Sequence, residues 1–165
     1  MSRVDFGKAA VRGEEARITQ SERGKGMDKT VAAQRKFFQS GATLPYAFRV
    51  KQLKTLYGAI KQNEARIIAA LQYDLGKCPF ESYAIELSMV YMEIKHTLKH
   101  LKDWMKDQRV PTPVTSFGGQ SYIHRQPLGV VLIMAPWNYP FQLSIAPLVA
   151  AMAAGNCVVL KPSRY

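Results

Sequence analysis

The sequence contains little cysteine, with only Cys78 and Cys157 among its 165 residues. The two lie far apart and have neither metal-binding nor redox spacing, so they predict no metal centre and no redox pair. No apolar run reaches the roughly 18 residues that span a bilayer, and the polar N-terminus has no signal-peptide core. These absences predict a soluble protein of a reducing compartment, the cytoplasm, with no membrane span.

Acidic residues are also scarce, because 12 Asp and Glu stand against 23 Lys and Arg and leave a net charge of +11. A chain this basic can bind nucleic acid or anionic membranes. It lacks, however, the interleaved aromatics of a nucleic-acid-binding motif. One stripe of lysines beside an apolar helix stripe is typical of a solvated rim: Lys95, Lys99, Lys102 and Lys106. A basic nucleic-acid-binding module is therefore a minor alternative, and no nucleic acid partner is expected.

The first part of the chain divides into a leader and a helical region. Residues 1–26 show no sustained period, which predicts a disordered leader or a non-native extension with Met27 as a plausible second start. Apolar residues at helical spacing predict helices across residues 27–108. Caps and breakers place four of them: one from Asp28 to near Gly41, one after Pro45, one from an Asn63 cap to Gly76, and one of about seven turns from Pro79 to Met105.

The second part of the chain has the pattern of a small sheet. Residues 109–120 are rich in proline and glycine and predict an exposed linker, and residues 121–165 predict a short strand followed by strand, helix and strand. "LGVVLIM" and "CVVL" are continuous apolar runs, typical of strands buried on both faces. The helix between them is predicted to begin at a Ser144 cap with Pro147 in its first turn. Residues 135–156 are long enough for a parallel crossover, so the sequence predicts a βαβ unit and an α/β fold.

Two polar clusters follow the two predicted strands, Pro136–Tyr139 after the first and Lys161–Ser163 after the second. Ligands bind beyond the carboxyl ends of parallel strands, so both clusters are expected at one edge of the sheet. Asn138 offers a neutral N–H donor that suits a developing oxyanion, and the flanking prolines restrict its direction. Lys161 is expected to need a partner such as a ligand oxygen, because a buried ammonium is costly. A rigid loop with Trp137 in the core and a surface amide is the alternative explanation.

The stretch "QPLGVVLIMAPWNYPFQLSIAPLVAAMAAGNCVVLKPS" resembles the aldehyde dehydrogenase superfamily, and specifically its class 3-like branch. "PLGVV", "PWNYPF", "AAGN" and "KPS" match in order and at the expected spacing, and the resemblance runs from about Met27 to Ser163. It implies N-terminal helices followed by the first βαβ unit of a Rossmann-like parallel sheet. Residues 27–165 would then form the N-terminal part of an NAD(P)-binding domain.

The resemblance also implies an activity, the oxidation of aldehydes to carboxylic acids with NAD or NADP. In the family a cysteine thiolate attacks the carbonyl, hydride passes to the nicotinamide, and water activated by a glutamate releases the acid. Asn138 matches the side-chain donor of the oxyanion hole, and Tyr139 matches an aromatic position of the substrate tunnel. Six residues match cofactor-binding positions: Met134, Ala135, Pro136, Trp137, Lys161 and Ser163. The implied partners are an aldehyde substrate and a second copy of the chain in a homodimer.

The chain departs from the family pattern after "KPS". The family continues with a glutamate that accepts from ribose hydroxyls, whereas this chain has Arg164, which offers no acceptor. The family's nucleophilic cysteine, catalytic glutamate and glycine-rich cofactor turn lie downstream, and neither Cys78 nor Cys157 matches the nucleophile. The leading hypothesis is the N-terminal portion of an NAD(P)-dependent aldehyde dehydrogenase, inactive as this chain alone. The alternative is a non-catalytic fragment or pseudogene-like product, which the DNA beyond codon 163 would identify.

Overall fold

A computed structural model of the chain describes residues 20–164, with side chains described from residue 26 onward. The first part is helical: α1 (Gln20–Gln39), α2 (Tyr46–Gln62), α3 (Glu64–Leu75), α4 (Pro79–Glu81), a π-helical segment (Ser82–Leu87) and α5 (Ser88–Trp104). The second part contains β1 (Gln108–Val110), a 3₁₀ turn (Val114–Ser116), β2 (Ser121–Ile123), β3 (Val130–Met134), α6 (Gln142–Ala154) and β4 (Cys157–Lys161). This order confirms the predicted α/β class. Within the described residues, no helix combines the length and the apolar character needed to cross a bilayer.

Helix α1 begins earlier than the sequence predicts. A start at Asp28 is wrong, and so is a structureless leader over residues 20–26, because the helix already begins at Gln20. Glu22, Arg23 and Lys25 are good helix formers, and they limit the effect of Gly24 and Gly26, which cost about 1 kcal/mol each. Residues 1–19, the rest of the predicted leader, lie outside the described part of the chain.

The next two helices follow their predicted boundaries. Helix α2 starts directly after Pro45, and α3 ends at Gly76, whose φ of +67° is the left-handed conformation that glycine adopts readily. Asn63 precedes α3 as predicted, but its side chain does not cap that helix. It donates instead to the carbonyl of Ala59 at 2.9 Å, so it closes the end of α2.

The predicted long helix begins at Pro79 but is not one regular α-helix. The Sγ of Cys78 accepts a hydrogen bond from the backbone N–H of Glu81 at 3.4 Å and caps this start. Ser82–Leu87 is then π-helical, with hydrogen bonds that reach five residues along the chain instead of four. The prediction of about seven regular turns is wrong in this segment. The spacing of apolar residues could not show it, because one wider turn changes that spacing too little.

The core lies where α2, α3 and the π-helical segment meet α5 and α6. The apolar residues at helical spacing along the helix predicted from Pro79 to Met105 form an apolar stripe: Tyr83, Leu87, Val90, Ile94, Leu98, Leu101 and Met105. The core contains most of this stripe, although Tyr83 is 40% exposed. The buried members are Leu53, Ile60, Leu71, Leu87, Val90, Tyr91, Ile94, Leu101, Val149 and Ala153. The four lysines of the basic stripe are exposed, as a solvated rim requires.

Strands β1 and β2 form an antiparallel pair in which Gln108 lies opposite Ile123 and Val110 opposite Ser121. The short strand predicted after residue 120 is therefore confirmed. The prediction of a linker over residues 109–120 is wrong at Arg109 and Val110, which belong to β1. These two residues form a strand because they pair with Tyr122 and Ser121 of β2.

Strands β3 and β4 are parallel neighbours joined through α6, which confirms the predicted βαβ unit. Burial on both faces is wrong for β3 in the described part of the chain, since Leu132 is 59% and Met134 is 70% exposed. Helix α1 packs near the start of the strand, where the Phe38 ring lies 3.7 Å from the point that a Cβ on Gly129 would occupy. Leu132 and Met134 alternate with the half-buried Val131 and Ile133, so one face of this uniformly apolar strand is open beyond its start.

Helix α6 begins at Gln142 and not at the predicted Ser144 cap, so Pro147 lies inside the helix instead of in its first turn. The Ser144 side chain is buried. The earlier start has a cause outside the helix: Glu86 accepts hydrogen bonds from the N–H groups of Phe141 and Gln142 at 2.9 and 3.3 Å. A carboxylate from another element thus satisfies the free N–H groups that a local cap would otherwise serve.

Candidate active site

The ends of β3 and β4 lie side by side. Met134 pairs with Lys161 in the strand register, and the N–H of Ala135 donates to the Lys161 carbonyl at 3.2 Å. The segments that follow, Pro136–Tyr139 and Lys161–Ser163, therefore leave the sheet at the same edge. This confirms that the two predicted clusters are neighbours.

Several side chains at the end of β3 and in the loop after it are exposed to solvent. Met134 is 70% and Trp137 is 56% exposed, and Asn138 is exposed as well. The Asn138 amide makes no hydrogen bond to any residue between 20 and 164, so its N–H groups are available to a ligand. Tyr139 is half-buried. An exposed Trp137 counts against the alternative in which this loop only anchors a core tryptophan.

Lys161 does not need a ligand to compensate burial. Its side chain is exposed, so the predicted cost of a buried ammonium does not arise. Ser163 is half-buried beside it and Arg164 is exposed. What the edge offers is an accessible cation directly beside the apolar end of β3.

Behind the loop lies a charged pair whose members are not among the site residues predicted from the sequence. The Nζ of Lys77 lies 2.5 Å from Oε1 of Glu86, whose side chain is fully buried. The same Nζ donates to the Asn138 carbonyl at 2.9 Å and lies 4.2 Å from the centre of the Tyr139 ring. The second carboxylate oxygen, Oε2, accepts from the N–H groups of Phe141 and residue 142.

This arrangement is electrostatically favourable at the start of α6. A carboxylate suits a helix N-terminus, where N–H groups and the helix dipole present positive charge. One signal in the sequence could have indicated Glu86: it stands three residues after Tyr83 and four before Val90, within the apolar stripe. A carboxylate in that position is almost never fully buried unless it is paired.

The two thiols lie in different environments, and neither lies in the loop. Cys157 is buried at the start of β4, and burial raises the pKa of its thiol. Cys78 is exposed. Cys157 is thus a small core residue, and Cys78 is an accessible thiol next to the start of a helix.

We expect iodoacetamide to alkylate one thiol per folded chain and two after denaturation, because Cys78 is accessible and Cys157 is both covered and slow to form its thiolate. Intact-mass spectrometry counts the adducts. A Cys78→Ser variant is the matched control and should take up no label when folded. Rapid labelling of that variant under native conditions would show that Cys157 is open.

Histidines form contacts but no metal centre within residues 20–164, where no three His, Cys, Asp or Glu side chains gather as ligands. His96, His100 and Trp104 stack along α5, with ring centres 4.6 and 5.9 Å apart. His124 lies 2.5 Å from a carboxylate oxygen of Asp107. These contacts are local to the surface of α5 and the β1–β2 pair.

The chemistry of the edge suits a dinucleotide. Exposed apolar surface from Met134 and Trp137 can face a flat ring, and the Lys161 ammonium can donate to hydroxyl or phosphate oxygens. The position, beyond the carboxyl ends of parallel strands, is where open α/β sheets bind such ligands. Arg164 adds a second exposed cation and no acceptor.

Comparison with known proteins gives consistent matches. A family model described as the aldehyde dehydrogenase family matches residues 9–165. Aldehyde dehydrogenase family 3 member H1 of Arabidopsis thaliana is 47% identical over 129 residues, which cover 78% of this chain and 27% of that protein. The dimeric NADP-preferring aldehyde dehydrogenase of Rattus norvegicus is 46% identical over 134 residues, 81% of this chain and 30% of that protein. A substrate-bound structure of Staphylococcus aureus AldH superposes with a TM-score of 0.81 at 44% identity and covers 83% of this chain and 30% of that one.

Proposed function

Because this chain belongs to the aldehyde dehydrogenase family, in its class 3-like branch, we propose that it supplies the oxyanion donor and part of the cofactor site of an NAD(P)-dependent enzyme that oxidises aldehydes to carboxylic acids. The chain spans less than a third of the length of the relatives described above. The single observation that supports the proposal most is the open Asn138 amide at the edge where β3 and β4 end.

Asn138 has the properties that an oxyanion donor needs. Its amide N–H carries no titratable proton, so it can donate at any pH at which the protein is folded. Nucleophilic attack on an aldehyde moves negative charge onto the carbonyl oxygen, and a donor fixed at that point stabilises the charge more than it stabilises the neutral substrate. The aldehyde would then approach between Asn138 and the half-buried Tyr139.

The bound NAD or NADP would accept the hydride that leaves the aldehyde carbon. In our proposal, the end of β3 forms a wall for the cofactor, and Lys161 donates to its ribose hydroxyls. The residues of this wall are Met134, Ala135, Pro136 and Trp137, and Ser163 adds to the second segment. Arg164 cannot accept from ribose hydroxyls, and its charge favours a phosphate-bearing cofactor over one with free hydroxyls. A homodimer remains a prediction of the family resemblance, and a cytoplasmic location remains a prediction from the cysteine content and the polar N-terminus.

The test is an assay of the protein that carries this chain with short, long and aromatic aldehydes and with NAD⁺ or NADP⁺. We expect formation of the reduced cofactor, followed by its absorbance, and of the matching carboxylic acid. A protein that is folded and yet reduces neither cofactor with any aldehyde would contradict the proposal. Tryptophan fluorescence of the chain itself separates binding from reaction, because its two tryptophans are Trp104 and Trp137.

Cofactor quenching that survives Trp104→Phe and disappears in Trp137→Phe would support the placement of the cofactor at this edge. Quenching without any turnover would favour the non-catalytic alternative. DNA binding that weakens steeply with salt would favour the basic module instead.

A further inference from the structure

We propose that Lys77 and Glu86 are positioning residues that hold the Asn138 amide in place for the reaction; this inference rests on the proposed function. Neither side chain reaches the open edge, because Glu86 is completely buried and Lys77 is only 9% exposed. Both therefore act, in this proposal, through the loop and not on the substrate.

The burial of Lys77 and Glu86 is not explained by stability alone. Two charges lose their hydration when they are buried, and well-packed apolar residues of similar volume often stabilise a protein as much or more. Glu86 also lies in the π-helical segment, a feature that is frequent at functional sites. A buried ion pair with one member in an irregular helix is thus better explained by the loop that it holds than by a contribution to the stability of the core.

The pair holds the loop on both sides of the Tyr139–Pro140 bend. On one side, Lys77 Nζ donates to the Asn138 carbonyl at 2.9 Å. On the other, Glu86 Oε2 accepts from the N–H of Phe141 at 2.9 Å. The Lys77 Nζ and the Glu86 carboxylate are themselves only 2.5 Å apart. The ion pair therefore fixes the distance between the Asn138 carbonyl and the Phe141 N–H.

Among the described residues, the bond from Lys77 is the hydrogen bond that reaches Asn138, since the amide of that residue makes none of its own. The backbone of Asn138 is therefore held through its carbonyl, and this fixes the Cα from which the amide side chain extends. A donor for an oxyanion must be aimed before the charge develops. A displacement of about 1 Å by a change remote from the chemistry can lower the rate about 100-fold.

The first experiment measures kcat and KM of Lys77→Met in the active protein. We expect kcat to fall about 100-fold while KM changes much less, because the donor acts in the transition state. Lys61→Met is the matched control: it removes a Lys–Glu pair of 3.0 Å on the surface between α2 and α3 and should leave kcat near the wild-type value. Lys77→Arg keeps the charge opposite Glu86 but not the contacts of a compact ammonium, so it should fold and still lose activity.

A double-mutant cycle separates positioning from a general effect on the fold. In the Asn138→Ala background the donor is already gone, so Lys77→Met should lower kcat little further. The proposal is overturned if Lys77→Met causes the same fold-loss in both backgrounds, or if Lys77→Met and Lys77→Arg both turn over at wild-type rates.

A third readout does not depend on the reaction. ¹⁵N relaxation should show the backbone order parameter of Asn138 falling from about 0.85 towards 0.6 or below in Lys77→Met, while that of Asn156 stays unchanged. If the wild-type protein oxidises no aldehyde, the proposed function fails, and an ordered loop in Lys77→Met would then overturn the positioning role separately.

Discussion

Replacement of Asn138 by alanine is expected to lower kcat of the active enzyme about 100- to 1000-fold, on the order of 3–4 kcal/mol of transition-state stabilisation. The amide is exposed and makes no hydrogen bond to residues 20–164, so its removal takes nothing from the packing of the described fold. The loss should therefore appear in kcat, with KM and the thermal unfolding midpoint nearly unchanged.

Asn156→Ala is the matched control for that experiment. Asn156 lies at the opposite end of the same crossover, and its Oδ1 accepts from the N–H of Gly129 at 2.9 Å. Its removal leaves a partly buried N–H without that partner, which should lower stability by about 1–3 kcal/mol and leave kcat of the folded fraction intact. Wild-type turnover in Asn138→Ala would remove the oxyanion assignment.

The second large effect is expected for Gly155→Ala, at the end of α6. Gly155 has a φ of +90°, and a Cβ there would lie 2.6 Å from Nη2 and 2.7 Å from Cζ of Arg49. The guanidinium cannot move aside easily, because it donates to the carbonyls of Thr43 and Ala153 at 2.9 and 3.0 Å. Burial also lowers the pKa of Arg49, as expected where a charged group has lost hydration.

Backbone strain and overpacking together should destabilise Gly155→Ala by about 2–5 kcal/mol. Urea unfolding, followed by circular dichroism, measures the change. Gly76→Ala is the control, since Gly76 has a similar φ of +67° and no atom within 4 Å of the added Cβ. That variant should lose about 1–2 kcal/mol from strain alone. Equal losses at the two glycines would mean that contact with Arg49 is not the cause.

The βαβ unit and the shared edge could be predicted because their signals are local. Each element of the unit is specified by residues in or next to it. The apolar runs specify β3 and β4, the glycine after α6 specifies the end of that helix, and the number of residues between the strands specifies a parallel connection. Asn138 can be predicted as an oxyanion donor for the same reason, because two prolines and an apolar strand surround it in the sequence.

The Lys77–Glu86 pair could not be predicted in this way. Lys77 is 61 residues from Asn138, and Glu86 is 55 residues from Phe141. A lysine after a helix-ending glycine is ordinarily solvated, so nothing local indicates that Lys77 is buried. The place of Glu86 in the apolar stripe indicates burial, but only the packing of α6 against the π-helical segment shows which groups it contacts. The exposure of Lys161 cannot be predicted from its neighbours either. Its place after an apolar run indicates burial, but the strand ends at an open edge.

The hydrogen bonds that Lys77 donates to the loop and Glu86 accepts from it also affect how such proteins can be recombined. A chimera that joins residues 121–165 to the helices of a distant relative would keep every residue of the βαβ unit. It would still lose the contacts behind Asn138 unless the relative brought its own Lys and Glu in the same register. The junction of a chimera should therefore lie before Lys77, so that the helices with Lys77 and Glu86 come from the same protein as the loop.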